Sequence, residues 1–244
     1  MNVGHATPPG RRRSGAWIVD HAIRALATGR AVQGKPFPQV GVVVLGSGAV
    51  SLRLIAPAGS PPPGWELEHD GRTWRVPLDR LETAAADPLP RPPLPLLVSL
   101  GDHDDGRVLL NLAAADGIIS LDGDSVLAPR LAAQWSRQLT RSPWAGPGQV
   151  IRVGFAADPG FAGPSVERLA QASPLLTRPE GGTALFAGPA DPYDLRRAGE
   201  LVAAPVRRWA VVASGVDDAV WRLRVDISGS VDTGLLTGPV RPAW

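Results

Sequence analysis

Residues Gly117–Arg130 read GIISLDGDSVLAPR. A short apolar run stops at Asp122-Gly123-Asp124, and the chain then continues as PRLAAQWSRQLT, with Leu131, Trp135 and Leu139 four apart. The pattern is a buried strand, a Gly-Asp turn and an amphipathic helix. Nucleotide-binding proteins hold phosphates at such strand-to-helix junctions, where free backbone N–H groups and the helix dipole face an anion.

Downstream of this junction the pattern keeps alternating. QVIRVGF reads as a strand, VERLAQA as a short helix, TALFAG as a strand and PYDLRRAGELV as a helix, and RRWAVVAS and WRLRVDIS close the chain as strands. Upstream, AWIVDHAIRALATGRAV places Ile18, Val19, Ala22, Ile23 and Leu26 on one helical face. Two hairpins follow, turning at Gly46-Ser47-Gly48 and at Asp70-Gly71, with Trp65 and Trp74 flanking the second. LLVSL and RVLLNL flank the acidic turn GDHDDG.

The expected fold class is therefore α/β: a central mixed sheet with flanking helices, preceded by an N-terminal helix and β-hairpins. The expected organisation is a disordered basic arm over 1–15 and a helix-plus-hairpin region over 16–83. A Pro-rich connector over 84–95 then leads into an α/β domain with a P-loop-like core over 96–244.

Composition excludes several chemistries. The 244 residues contain no cysteine, so disulfides, zinc-thiolate sites and thiol nucleophiles are ruled out. A formal net charge of +2 predicts no strongly basic surface, and nucleic-acid binding is not expected. Arg207 and Trp209 form a close basic-aromatic pairing, but they lead into an apolar strand. No apolar run reaches the roughly 18 residues that span a bilayer. The Arg11-Arg12-Arg13 cluster has no signal-type apolar segment after it, so a cytoplasmic location without membrane insertion is expected. Lys35, in a Gly34-Lys35-Pro36 loop, is the sole lysine.

Four chemistries can be tested against the residues. On a P-loop spacing of G-x-x-x-x-G-K-[ST], Gly123 takes the first position, Ala128 the second glycine, Pro129 the lysine and Arg130 the Ser/Thr. Proline supplies neither an ammonium nor an N–H, and Asp122 and Asp124 bring negative charge to where phosphates lie. The strand RRWAVVASG ends in Ser214-Gly215 where a magnesium-binding acid would stand. ATP hydrolysis is not expected, and weak nucleotide or anion contact through Gly123, Asp124, Ser125 and Arg130 is what this loop could retain.

Gly123-Asp124-Ser125 also has the look of a GDS serine hydrolase, but His5, His21, His69 and His103 all precede Ser125 and none lies in D-x-x-H. Asp232-Thr233-Gly234 matches an aspartic-protease triplet that needs a second carboxylate, so only a dimer could complete it. Asp102-His103-Asp104-Asp105 reads as a solvated hairpin turn in preference to a metal site. No metal, cofactor or catalytic residue is expected.

Four blocks together carry a resemblance. They are HAIRALATGRAVQGKPFPQVGVVVLGSGAVSLRLIAPAGSPPPGW, WELEHDGRTWRVPLDRL, LLVSLGDHDDGRVLLNLAAADGIISLDGD and QLTRSPWAGPGQVIRVGF. In this order they resemble an uncharacterised actinobacterial module found in LysM-domain and SARP-type (bacterial transcriptional activator domain) proteins, over about Ile18 to Asp226. That module is similar to the FtsK/SpoIIIE-type P-loop ATPase domains of type VII secretion. The resemblance implies a P-loop-like sheet with a degenerate nucleotide loop. It also implies a protein partner in a membrane-associated or secretion complex. This chain shows no peptidoglycan-binding repeat, membrane helix or DNA-binding domain, so the cell-wall and transcriptional roles do not carry over. The expected function is a non-catalytic interaction or regulatory module, with a hydrolase using Ser125 or Asp232, or a weak nucleotide or anion binder, as alternatives.

Overall fold

A computed structural model describes residues 14–87, 92–141, 148–203 and 209–244. Most of the basic arm and Arg207 lie outside these residues. Helix α1 (Gly15–Val32) starts where Ser14 caps it by accepting from the Trp17 N–H. Strands β1 (Val40–Leu45) and β2 (Ala49–Leu54) form the first hairpin, with Leu45 opposite Val50. β3 (Glu66–Leu67) and β4 (Thr73–Pro77) form the second, in which Leu67 faces Trp74. A single turn of helix, α2 (Leu78–Leu81), follows.

Strands β5 (Leu97–His103) and β6 (Gly106–Asn111) come next, and β6 pairs antiparallel with β1. The first sheet is therefore six-stranded and antiparallel, in the order β3-β4-β2-β1-β6-β5. It draws strands from both sides of the proline-rich segment. The break between sheets falls at residues 112–117, after β6, and the prolines lie within the connectivity of one sheet.

The second sheet begins with β7 (Ile118–Gly123) and α3 (Leu127–Arg141). β8 (Gln149–Val153), β9 (Ser165–Val166), the short helix α4 (Ser173–Leu176) and β10 (Gly182–Pro189) continue it. Helix α5 (Pro192–Val202), β11 (Trp209–Ser214), β12 (Trp221–Val225) and β13 (Val231–Asp232) complete it. The order is β13-β12-β7-β11-β10-β8-β9; all neighbours are parallel except β12 and β13, so the sheet is mixed.

Three apolar clusters define the layers. Val19, Ala22, Ile23 and Leu26 of α1 pack on one face of the first sheet with Val43, Leu52 and Trp74. The other face of that sheet supplies Val98, Leu100, Val108 and Leu110, which meet α3 and the second sheet through Leu131, Trp135, Ile119 and Leu223. The far face of the second sheet is covered by α4 and α5, with Ile151, Ala184 and Val211 against Leu176 and Ala198. Alternation decides these sides: along β6, Val108 and Leu110 face α3 while Leu109 faces α1.

Helix α3 thus lies between two sheets. Fully buried Trp135 donates its indole N–H to the Ser99 carbonyl at 3.3 Å, and Gln138 Oε1 accepts from the Ser99 N–H at 2.7 Å. Near the C-terminus, Asp102 and Arg241 exchange backbone bonds at 2.8 Å each. A Cβ on Gly101 would lie 2.2 Å from the Arg241 carbonyl oxygen, so this crossing admits only glycine there.

Candidate functional site

In an open α/β sheet, ligands bind beyond the carboxyl ends of the strands, where the connections change face. Here the change comes at β7. The helix after it covers one face, and those after β8 and β10 cover the other. β7 lies between β11 and β12. The expected site residues stand at its carboxyl end.

Asp122 spans the crevice between β7 and β11. Its carboxylate accepts from the Gly215 N–H at 2.7 Å and from the Ser120 hydroxyl at 2.6 Å. Gly123 follows with φ +108, and a Cβ there would lie 1.9 Å from the Val225 carbonyl oxygen. The glycine is required by the close approach of β12, independently of any phosphate.

Asp124 caps α3. Its Oδ1 accepts from the N–H groups of both Val126 and Leu127 at 2.9 Å, and its carbonyl accepts from Ala128 at 3.0 Å. These bonds, from Leu127 first and then Val126, hold the carboxyl below its ordinary value. The donors that a P-loop aims at phosphate are thus already turned onto the chain's own carboxylate, and Pro129 adds none.

Ser125 is exposed beside them. His21 stacks on Trp17 and donates to the Leu81 carbonyl. The Nε2–H of His103 donates to the Thr237 carbonyl. Arg130 is exposed, with its guanidinium 5.2 Å from the Trp244 ring centre. Lys35 lies just beyond α1, on the far side of the first sheet. The structure brings Gly123, Asp124 and Ser125 together and turns Arg130 to the C-terminal tryptophan.

Asp232 accepts from Gly234, and the Thr233 hydroxyl accepts from Leu235 and Leu236, which makes a local polar turn. In the acidic hairpin, Asp102 pairs with Arg107 at 2.7 Å and Asp104 with Arg241 at 3.5 Å. No group of three or more His, Asp or Glu side chains is placed to hold a metal among the described residues.

Two features escaped the sequence reading. Arg152 of β8 is 1% exposed. It bonds Ser136 Oγ at 2.7 Å, the Ala133 carbonyl at 2.9 Å and Asp158 at 2.8 Å, with the Phe161 ring 4.0 Å away. Arg152, and Arg137 after it, hold the Asp158 carboxyl far below its usual range. In QVIRV an arginine reads as a solvent-facing strand position, and only the placement of α3 buries it.

The second feature is the junction of β10 and α5. Asp191 caps α5, accepting from Tyr193 and Asp194 at 2.9 Å, and forms an ion pair with Arg168. The Asp194 N–H chiefly, then Arg168, lower the Asp191 carboxyl. Asp194 itself is 3% exposed, and its Oδ1 has no hydrogen-bond partner among the described residues. The sequence signal was D-P-Y-D, an N-cap, proline at the first helical position and a second acid three residues on.

No family model matches this chain, and no curated protein does either. Among solved structures, the pCW3 conjugation coupling protein TcpA, in its monomer form with ATPγS, is matched over 84% of this chain and 83% of its own. Identity is 9% and the TM-score 0.35, and so loose a superposition carries no argument about site or activity. No described helix is long and apolar enough to cross a membrane.

Proposed function

We propose that this chain is a non-catalytic interaction or regulatory module built on an α/β sheet with a P-loop-like but degenerate junction, and that it acts through contacts with a protein partner. One observation carries the reading: the N–H groups of Val126 and Leu127, where a phosphate would sit, both donate to Asp124. A nucleotide would have to displace that carboxylate and then bind beside it and Asp122, with no lysine and no proline N–H to compensate. The actinobacterial resemblance supports a cytoplasmic partner belonging to a membrane-associated or secretion complex.

Steady-state phosphate release from Mg-ATP by the purified chain tests this reading. The expected rate equals the buffer blank. Turnover that is lost in Asp124→Ala or Arg130→Ala would overturn it.

A further inference from the structure

Helix α3 carries charge of one sign only. Its sequence, LAPRLAAQWSRQLTR, holds three arginines and no acid. Arg130, Gln134, Arg137 and Arg141 recur at i, i+4, i+7 and i+11, so they form one stripe along the helix, about 16 Å long. Leu131, Trp135 and Leu139 take the buried side. Arg130 and Arg141 are exposed, and the Arg137 side chain is 36% exposed.

A solvated helix face is the bland account of such a stripe, and two observations weigh against it. The other long helices balance their charges in the ordinary way: on α1 Arg24 pairs with Asp20 at 2.8 Å, and on α5 Arg197 pairs with Glu200 at 3.0 Å. On α3, Arg137 pairs with Asp158, and no carboxylate among the described residues pairs with Arg130 or Arg141. The segments outside the description, 1–13, 88–91, 142–147 and 204–208, contain no Asp or Glu in their sequence. Arg130 also stands in the first turn of α3, where the helix dipole disfavours a cation, so helix stability does not account for it.

The stripe is ordered before anything docks on it. The Arg130 guanidinium lies 5.2 Å from the Trp244 ring centre, and Gln134 donates to the Ala243 carbonyl at 2.9 Å beside that ring. Arg137 donates to Asp158 and Arg141 to the Gly160 carbonyl, each at 2.7 Å. A guanidinium has five N–H donors, so all three arginines keep donors to spare. Side chains held in this way lose little freedom on association, and Arg and Trp are residue types that protein interfaces concentrate.

We propose that this stripe of α3 docks an acidic segment of a protein partner, whose carboxylates accept from Arg130 and Arg141. Charge complementarity selects the occupant. Nucleic acid fits less well, since it draws affinity from many phosphate contacts and from open aromatic platforms. Here there are three guanidiniums and one ring that Arg130 already faces. The proposal rests on the reading of this chain as an interaction module and names the chemistry of its partner.

Fluorescence anisotropy at low and at physiological salt tests it with three labelled probes. They are a helical peptide with Glu at i, i+4, i+7 and i+11, the same peptide with Gln at those positions, and an oligothymidylate of equal length. The expected result is saturable binding of the Glu peptide that weakens as salt rises, and none of the Gln peptide. The double variant Arg130→Gln, Arg141→Gln should weaken binding on the order of tenfold. Arg197→Gln, which removes the same charge from α5, should leave it unchanged. The peptide series needs no variant, so it decides even if a variant folds poorly.

The proposal is overturned if the Glu peptide does not bind saturably, if the Gln peptide binds equally well, or if the oligothymidylate binds more tightly. It is equally overturned if the double variant binds as Arg197→Gln does. Phosphate release from Mg-ATP by the same preparation is a separate readout. No release and no peptide binding overturns the acidic partner and leaves the module reading standing, whereas turnover overturns the module reading on which the proposal rests.

Discussion

Two strand-to-helix junctions stand at one edge of the parallel sheet, and an aspartate opens each helix. At β7–α3, Asp124 takes the first-turn donors and Asp122 laces β7 to the loop after β11. At β10–α5, Asp191 caps in the same way, but Asp194 three residues later is buried with an oxygen that no described donor meets. The side chains that follow differ: exposed Ser125 at α3, and at α5 exposed Tyr193 and then buried Asp194. The junction that resembles a nucleotide loop is the closed one.

The closed side depends most on the polar anchor that fastens α3 to β8. Asp158→Ala leaves the Arg152 charge buried without its counter-ion and is expected to lower Tm by on the order of 10 °C. The double variant Arg152→Met, Asp158→Ala should melt above that single variant, because an apolar chain of similar length removes the stranded charge. Thermal denaturation of the three proteins decides it; a double variant less stable than Asp158→Ala contradicts the account.

Acid sharpens the same point. Asp158, Asp124 and Asp191 all have carboxyls held below the ordinary 3.8. A carboxyl harder to protonate folded than unfolded adds stability above 3.8, and that stability fades as pH falls through 3.8 toward the lower folded value. Urea midpoints should therefore drop between pH 5 and pH 3, and the drop should be shallower in Asp158→Ala.

Gly123→Ala comes next. A side chain at φ +108 that also meets the Val225 carbonyl should cost about 3 kcal/mol in a urea titration. If the loss is negligible, the glycine serves something other than the approach of β12.

Asp124→Ala removes the cap and should lower Tm by about 2–4 °C. It should also convert the closed junction into an open one, so that sulfate raises Tm in the variant and not in the parent. Smallest of all, Arg130→Ala loses an exposed cation–π contact with Trp244, worth about 0.5 kcal/mol.

Much of the fold could be read from local pattern. The runs 118–123, 149–153, 182–189 and 209–214 are strands because they are apolar and bounded by turn residues, and Asp191-Pro192 starts a helix in sequence as it does in space. The division into sheets was not legible, because prolines at 84–95 mark a break in local structure and say nothing of long-range pairing. β6 pairs back to β1, carrying β5 with it, through contacts that no local window contains. The same limit applied at the site. Asp124 as a cap follows from its neighbours, whereas the bond from Gly215 to Asp122 spans 93 residues. Arg152 and Asp194 owe their burial to elements that pack over them.

Backbone amide chemical shifts during a titration with Mg-ATP test the closed junction most directly. The N–H signals of Val126 and Leu127 should stay fixed at millimolar nucleotide, since Asp124 already holds both protons. Saturable movement of those two signals, absent from the rest of the chain, would contradict the account.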